Sequence, residues 1–401
     1  MQEKVLEAEE VPDVYPLQYR FAKQYFDNIV LRKPFILDVL KSVKTPTLVI
    51  DLDRIKKRFL ELQEALKEAK IYYAVKANDH QEILALLNDL GSGYEVASSW
   101  ELEKVLRLGV DSSRIISSNP VKPLDFIDYA YKSGIKAFSI DSYKEIDKLK
   151  KVAPRSRVYV RLIVPNEGSD WPLTNKFGVD VDDALSLLEY AKSQGLIPYG
   201  ITFHVGSQCN NLRNWFIGIK KAWELWEKAI YKDIKLTMLN LGGGIPVNYQ
   251  YESLSIEDIG SYIEALLQKY FLIKPMEIQI EPGRGIVGDA GILVSSVIGK
   301  TIKHINGIES YWIYLDTGVF NGLAEVLGGI SYPMYAFGIT DLIRAYTVAG
   351  VSCDSMDIIS NTTYLPELDI GDRVYIMAAG AYTTVYAANF NGFGIPETVF
   401  V

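Results

Sequence analysis

One lysine of the chain stands in an unusual context for a charged side chain. Lys76 closes the apolar run IYYAVKA (71–77), whose aromatic and β-branched residues predict a buried strand. A buried ammonium must be paired or neutralised, and a lysine amine without its extra proton can form a Schiff base with a carbonyl group. Taken alone, such a residue is more often a strand-end lysine that reaches solvent. The functional interpretation therefore needs support from other positions.

A histidine stands at the end of another apolar run. His204 belongs to FHVGSQ (203–208), and Ser207 follows three residues later. A flat, neutral imidazole at a strand end could stack on a planar ring, while Ser207 and the following turn offer hydrogen-bond donors. A satisfied core histidine is the more common interpretation when the residue is considered alone.

Two further run ends carry residues suited to a phosphate. In LNLGGGIP (239–246), three successive glycines that include Gly243 and Gly244 let backbone N–H groups approach an anion, although a tight turn is the simpler explanation. In EPGRG (281–285), Arg284 could bind the same phosphate as a planar fork. Glu281 could keep a ring nitrogen protonated, or it could only form a structural pair with Arg284.

The pattern around these residues predicts the elements that position them. Short apolar runs alternate with amphipathic stretches such as HQEILALLNDLG and DDALSLLEYAKSQG, which predicts parallel strands covered by helices on both faces. Ser98 and Glu101 fit a capping box at the start of one helix. Eight runs of this kind predict a (β/α)8 barrel: IYYAVKA (71–77), GYEVAS (93–98), RIISSN (114–119), IKAFSID (135–141), RVYVRLIV (157–164), YGITFHVG (199–206), LTMLNLGG (236–243) and MEIQIEPG (276–283).

The barrel gives the separate motifs a common position. The functional residues of such barrels lie at the carboxyl ends of the strands, so the lysine, the histidine, the glycine turn and the Glu–Arg pair should meet at one rim. A phosphate-bearing aldehyde with a pyridine ring would use all four. This describes pyridoxal 5′-phosphate (PLP), whose protonated ring acts as an electron sink.

The rest of the chain has a different sequence pattern. After Gly285, strand-like segments such as GILVSSVIGKTI and DRVYIMAAGAYTTVY follow one another without long helices and predict an antiparallel β domain. We therefore divide the chain into an N-terminal arm (1–45), expected to pack with the β domain, a PLP-binding barrel (46–285) and a β domain (286–401).

Composition excludes several other classes. The chain has 42 Lys and Arg against 50 Asp and Glu, a formal charge of −8, which argues against a nucleic-acid partner. Two cysteines and three histidines offer little for a disulfide framework or a metal site, and we expect no metal. The acidic N-terminus lacks a signal-peptide core, and no apolar run reaches the ~18 residues of a membrane span. We expect a cytoplasmic enzyme.

Several motifs together resemble a known family. YYAVKAN, FHVGSQ, LNLGGG, EPGR, VAGVSCDSMD and GAYTTVYAANFNGF, in this order, are similar to the fold-type III PLP-dependent basic amino acid decarboxylases, and most to the bacterial ornithine/lysine decarboxylase group. The resemblance extends from about residue 40 to the C-terminus. It implies an alanine racemase-like architecture, a TIM-like barrel followed by an antiparallel β domain.

The resemblance also implies residue roles in cofactor binding. Lys76 would carry the cofactor as a Schiff base, His204 would stack on the pyridine face and Glu281 would pair with the pyridine nitrogen. Arg161 would approach the phenolic oxygen, and Glu95 stands where eukaryotic relatives usually have Asp. The residues implied around the phosphate are Ser207, Gly243, Gly244, Gly283, Arg284 and, from the β domain, Tyr382.

A second set of implied residues concerns a neighbouring subunit. Cys353 and Asp354 match a Cys-Asp pair that reaches the partner's cofactor, which implies a homodimer with shared active sites. Cys353 would protonate the α-carbon after CO2 leaves, and Asp354 would contact the distal amine of the substrate. Lys176 and Asp357 match an inter-subunit salt bridge.

The chain departs from the family in its substrate pocket. Gly328 and Gly329 stand where eukaryotic ornithine decarboxylases carry a Tyr-Asp pair whose Asp binds the distal amine. Because an unpaired buried ammonium is costly, a carboxylate is still expected there. Glu325 is our first candidate and Asp316 the second.

The implied activity is decarboxylation of ornithine, lysine or both to putrescine or cadaverine, in polyamine biosynthesis. One methylene usually gives only roughly 10–200-fold discrimination, so dual activity is expected. A diaminopimelate-like substrate is an alternative, although that group resembles Cys-Glu-Ser where this chain has Cys353-Asp-Ser355. A modified or carrier-bound amino acid, or an inactive regulatory homologue, also stays open.

Overall fold

The computed structural model describes residues 14–173, 176–273, 275–305 and 307–401. The strands, in chain order, are β1 (Thr47–Ile50), β2 (Ala69–Ala74), β3 (Gly93–Glu95), β4 (Ile115–Ile116), β5 (Ala137–Ile140), β6 (Arg157–Leu162), β7 (Ser169–Trp171), β8 (Ile197–Phe203), β9 (Ser207–Cys209), β10 (Met238–Asn240), β11 (Glu277–Ile280), β12 (Gly291–Ile305), β13 (Ile308–Leu315), β14 (Met334–Tyr335), β15 (Thr340–Ala349), β16 (Ile358–Glu367), β17 (Arg373–Met377) and β18 (Glu397–Phe400).

The α-helices follow the same order along the chain. They are α1 (Leu17–Arg32), α2 (Ile36–Ser42), α3 (Leu52–Ala65), α4 (Gln81–Asp89), α5 (Ser99–Arg107), α6 (Leu124–Lys132), α7 (Tyr143–Val152), α8 (Val181–Ser193), α9 (Leu212–Tyr231), α10 (Ile256–Tyr270) and α11 (Arg284–Val287). Among the described residues, none of these helices is both long and apolar enough to cross a membrane.

Residues 55–246 and 254–286 form one compact unit, which we call the barrel unit. Its eight parallel strands lie in the order β4-β3-β2-β11-β10-β8-β6-β5. A parallel bridge between Ser117 and Phe138 connects the two ends of this order and nearly closes the sheet into a barrel. The predicted (β/α)8 architecture is confirmed, and each of the eight predicted runs overlaps one of its strands.

The strand ends differ in detail from the predicted runs. Lys76 lies in a 3-10 turn, Val75–Ala77, directly after β2 instead of within the strand. His204 follows β8. The capping box is confirmed at α5, because the Ser98 side chain accepts a hydrogen bond from the Glu101 backbone N–H. The barrel thus presents its candidate residues on short turns that begin where strand pairing stops.

The second unit, here called the β unit, comprises residues 1–54, 247–253 and 287–401, described from residue 14 onward. Its strands run in the order β14-β17-β12-β13-β15-β16, and β1 pairs with both β12 and β18. Most pairs are antiparallel, as predicted, but β13 with β15 and β1 with β18 are parallel. The sheet is therefore mixed, because chain segments far apart in sequence supply neighbouring strands.

The segment before the barrel belongs to this second unit. Apolar side chains of α1 and α2, such as Phe26 and Leu40, share a buried core with Ile292 of β12 and Tyr375 of β17. β1 (Thr47–Ile50) is buried between two strands of the same sheet, although the sequence had placed it at the start of the barrel region. Residues 1–13 of the expected arm lie outside the described residues.

Candidate active site

The lysine selected from the sequence pairs with a buried carboxylate. The Lys76 Nζ atom lies 2.9 Å from Oε2 of Glu95, at the end of β3. Glu95 is 2% exposed, and its Oε1 atom accepts a hydrogen bond of 3.3 Å from the Ser118 backbone N–H. The Lys76 side chain is 48% exposed. The arrangement therefore pairs an accessible amine with an inaccessible carboxylate.

His204 is held as a neutral imidazole. Its Nδ1 atom accepts a hydrogen bond of 3.0 Å from the Gly206 backbone N–H. Burial, followed by the positive charges of Arg161 and Lys76, holds the pKa of His204 well below its ordinary value. With Nδ1 used as an acceptor, the single ring proton belongs on Nε2. A flat, uncharged ring is the form that can stack on another planar ring.

The glycine turn after β10 leaves no space for side chains. A Cβ atom on Gly242 would lie 2.1 Å from the Phe203 carbonyl oxygen. A Cβ atom on Gly243 would lie 2.7 Å from the Glu281 carbonyl oxygen and 3.0 Å from Nε2 of His204. The backbone therefore approaches the imidazole directly, as an anion cradle requires.

Arg284 completes this polar corner of the barrel unit. The residue is 3% exposed, and its Nε atom donates a hydrogen bond of 3.2 Å to the Ser207 hydroxyl. Gly244 (φ +105°) stands in a left-handed conformation, and Gly283 directly precedes the arginine. A buried guanidinium, a hydroxyl and the backbone N–H groups of the glycine turn form a donor set suited to a phosphate.

Glu281 is 7% exposed and fixed by two side chains, one that follows β4 and one on β10. Its Oε1 atom accepts hydrogen bonds from the Ser118 hydroxyl and from Nδ2 of Asn240, the latter at 2.5 Å. Burial and the charge of Glu95 raise the pKa of Glu281, and the two hydrogen bonds lower it only in part. Asn240 also accepts a hydrogen bond of 2.8 Å from the Gly242 N–H, so it couples the carboxylate to the glycine turn.

Arg161 lies on β6 with its guanidinium 5.3 Å from the centre of the Phe177 ring. Burial lowers the pKa of Arg161, while Glu281, Asp141 and Glu95 oppose that effect. A second cation, Lys176, lies 5.0 Å from the same ring and is exposed. Arg161 is thus the cation of this pair that faces the buried carboxylates.

The predicted Cys-Asp pair lies in the β unit on the turn between β15 and β16. Cys353 is exposed, and its thiol donates a hydrogen bond of 3.2 Å to Oδ1 of Asn391. Asp354 is exposed and accepts a hydrogen bond of 2.8 Å from the Met356 N–H. Asp357 differs, being 3% exposed.

Asp357 anchors the turn that carries the pair. Its two carboxylate oxygens accept hydrogen bonds from the N–H groups of Val319, at 2.7 Å, and Ser352, at 2.9 Å. A Cβ atom on either Gly318 or Gly350 would lie 2.2 Å from this carboxylate. The predicted inter-subunit contact with Lys176 stays a prediction.

The remaining candidates of the β unit have different surroundings. Glu325 is 2% exposed in the 3-10 turn Ala324–Gly328, before the left-handed Gly329. Asp316 accepts hydrogen bonds from the Ser295 hydroxyl at 2.5 Å and from the Ser296 N–H at 2.9 Å. Asp316 therefore already secures the end of its own strand.

Tyr382 also lies in the β unit. Its backbone adopts a positive φ of 58°, and its ring stacks on Tyr386 with centroids 5.6 Å apart. Its expected role at the phosphate stays a prediction.

Sequence reasoning missed three residues that hold the site together. Ser118, Asn240 and Tyr159 contact the candidate carboxylates or one another, yet the sequence had singled out other residues at the strand ends. Ser118 and Asn240 do stand where strands end, so a survey of every polar residue at these ends would have found them. Tyr159 lies within β6 and carries no such signal.

Comparison with known proteins places these features in a family. The family description "Pyridoxal-dependent decarboxylase, pyridoxal binding domain" matches residues 52–288. A lysine/ornithine decarboxylase of Selenomonas ruminantium is 36% identical over 374 residues, which cover 93% of each chain. The solved structure of SrLDC in complex with PLP and cadaverine has a TM-score of 0.84 and 34% identity, over 92% of this chain and 93% of that chain. A lysine/ornithine decarboxylase from Vibrio vulnificus complexed with cadaverine has a TM-score of 0.83 and 28% identity, over 92% and 98%.

Proposed function

The chain belongs to the pyridoxal-dependent decarboxylases, with PLP as cofactor, and from this premise we propose that it converts L-ornithine, L-lysine or both into putrescine or cadaverine. The relatives named for these substrates match the chain along most of its length. A role in polyamine biosynthesis follows from such products. The cytoplasmic location stays a prediction.

The barrel residues fit this cofactor by their chemistry. The Ser207–Arg284 pair and the glycine turn offer donors to a phosphate, and the closeness of Gly243 to His204 reserves space beside a neutral ring. Glu281 offers a carboxylate to a ring nitrogen. Lys76 offers an amine that can add to a carbonyl carbon. We therefore assign phosphate binding to Ser207, Gly243, Gly244, Gly283, Arg284 and Tyr382, ring contacts to His204, Glu281 and Arg161, and covalent attachment to Lys76.

When bound, PLP supplies an aldehyde that joins the substrate amine and a ring that accepts the electron pair left by departing CO2. Lys76 would hold the cofactor through Nζ. Glu95, 2.9 Å from that atom, would accept its proton and return it. Glu281 would offer negative charge to the ring nitrogen, and neutral His204 would add no competing charge.

We propose that the active sites are shared in a homodimer. Cys353 would give the proton at Sγ to the substrate α-carbon, and Asp354 would bind the distal ammonium, each in the partner's site. Support comes from their exposure on a turn that Asp357 anchors from below, since exposed side chains on a fixed turn can serve another subunit.

The distal ammonium group of the substrate needs a further carboxylate partner. We propose Glu325 for this role, because it is buried in a turn beside the two glycines that replace the family's Tyr-Asp pair. Asp316 is the weaker candidate, since Ser295 and Ser296 already occupy its Oδ1 atom.

The Lys76–Glu95 contact beside a phosphate donor set is the observation that carries the proposal. The test measures kcat/KM of the PLP-loaded protein for CO2 release from ornithine, lysine, arginine and diaminopimelate. We expect ornithine and lysine to lead. Lys76→Ala should abolish release, whereas Lys70→Ala, on exposed Lys70 of β2, should keep it. Release from neither ornithine nor lysine, or full activity of Lys76→Ala, would contradict the proposal.

A further inference from the structure

We infer that Ser118 and Tyr159 are positioning residues of the cofactor site, which orient Glu281 toward its ligand and hold it apart from Glu95. This inference rests on the proposed function and extends it to residues that touch no substrate. It concerns a line of three side chains, Tyr159, Ser118 and Glu281, inside the barrel unit.

The direction of the hydrogen bonds follows from the number of protons. The Ser118 hydroxyl contacts both Oε1 of Glu281 and the Tyr159 hydroxyl, the latter at 2.8 Å. A serine has one hydroxyl proton, and an ionised carboxylate can only accept. Ser118 therefore donates to Glu281, and Tyr159 donates to Ser118.

Tyr159 is suited to the fixed end of this line. Its side chain is 0% exposed, and burial followed by the charge of Glu281 raises the pKa of Tyr159 well above its ordinary range. The phenol therefore keeps its proton at every pH at which the enzyme is expected to work. A permanent donor behind Ser118 keeps the serine proton directed at the carboxylate.

Ser118 also contacts the second buried carboxylate. Its backbone N–H donates to Oε1 of Glu95, while its side chain donates to Glu281. The two carboxylates repel each other, and the charge of Glu95 raises the pKa of Glu281. One residue thus offers separate donors to both, which lowers the cost of holding two negative charges in one buried site.

Other charged and titratable groups face Glu281 from neighbouring elements. Lys76 follows β2 and Arg161 lies on β6, and both favour the ionised carboxylate. Glu95 on β3, Tyr159 on β6 and Tyr72 on β2 also interact with it. Asn240 is a second neutral donor to the Oε1 atom of Glu281.

The adjacent serine provides a matched control. Ser117 is 0% exposed and precedes Ser118 directly. Within the described part of the chain its hydroxyl has no hydrogen-bond partner. Ser117→Ala and Ser118→Ala therefore remove the same atom from neighbouring buried positions, and only Ser118→Ala interrupts the line to Glu281.

The experiment measures the dissociation constant of PLP from the full-length protein across a pH series. A cofactor whose ring nitrogen needs an ionised Glu281 binds more weakly as pH falls through the pKa of that group. Removing a donor from the carboxylate raises this pKa. In Ser118→Ala we therefore expect the low-pH limit of binding, the pH below which PLP binding weakens, to move up by about one pH unit. Tyr159→Phe should move it by about half as much, and Ser117→Ala and Ser118→Thr should leave it unchanged.

The outcomes separate the two proposals. If wild-type protein binds PLP and releases CO2, but the binding limits of Ser118→Ala and Tyr159→Phe coincide with that of Ser117→Ala, the inference is wrong and the proposed function stands. If wild-type protein binds no PLP at any pH, both fail. If Ser118→Ala does not fold, Tyr159→Phe and Ser118→Thr provide the test. A raised low-pH limit in Tyr159→Phe and an unchanged limit in Ser118→Thr support the inference, and an unchanged limit in Tyr159→Phe contradicts it.

Discussion

The candidate residues of the barrel unit and those of the β unit differ in how their own unit holds them. In the barrel unit, Glu95, Glu281 and Arg284 are at most 7% exposed and each contacts another polar side chain of the site. In the β unit, Cys353 and Asp354 are exposed, and among the described residues their side chains hydrogen-bond to Asn391 and to their own turn. The barrel site is thus preorganised before any ligand arrives, whereas the Cys-Asp pair is presented on a surface.

The difference has an energetic meaning. Removing the partner of a buried charge costs much free energy. The barrel residues therefore fix one another's positions and charge states. Displacing an exposed pair costs less free energy than displacing a buried one. The function of such a pair depends on the surface that covers it. The comparison therefore predicts different responses to substitution in the two units.

The largest expected effect concerns the shared site. Lys76→Ala and Cys353→Ala should each inactivate the enzyme, because one lacks the amine of the barrel and the other the thiol of the β unit. Equal mixing with subunit exchange should restore about a quarter of wild-type activity, since half of the dimers carry one intact site of two. Activity is measured as CO2 release before and after exchange. No recovery, with exchange verified by mass-tagged subunits, would mean that both residues serve the same chain.

A second prediction compares a glycine of each unit. Gly243→Ala places a Cβ atom 2.7 Å from the Glu281 carbonyl oxygen, whereas a Cβ atom on Gly394 of the β unit would meet nothing within 4 Å. Overpacking of this kind costs about 1–3 kcal/mol, so Gly243→Ala should weaken PLP binding by roughly 10–100-fold. Gly394→Ala should leave the dissociation constant unchanged. Equal constants for the two variants would show that the barrel turn adapts.

The smallest expected effect is a pH dependence of stability. The pKa of His204 in the folded chain lies well below its ordinary value of 6.5. As pH falls below 6.5, the unfolded chain takes up a proton that the folded chain refuses, so stability decreases by up to about 1.4 kcal/mol per pH unit.

The measurement is the free energy of urea unfolding of cofactor-free protein between about pH 5 and 7. His204→Asn should reduce the slope by the contribution of one proton. His304→Asn, on the β unit, provides the control with the same substitution. Identical slopes for wild type and His204→Asn would show that the imidazole takes up its proton as readily in the folded chain as in the unfolded chain.

Much of the barrel could be predicted because its signals are local. The run MEIQIEPG contains β11 and places Glu281 directly after that strand, and the alternation of such runs with amphipathic helices is typical of one fold. The β unit was harder to predict. β16 (Ile358–Glu367) was missed, because its polar and half-buried residues give no apolar run, and β1 pairs with strands far away in sequence.

The sequence by itself determined which chemistry is available. It placed an amine, an imidazole, a glycine turn and a Glu–Arg pair at the ends of strands, since side-chain type and periodicity are properties of short segments. Only the tertiary structure decided that Glu95 is the carboxylate hydrogen-bonded to Lys76, that His204 is neutral and that Ser118 donates a hydrogen bond to Glu281. These facts depend on burial and on distances between atoms of different strands, which the folded chain alone creates.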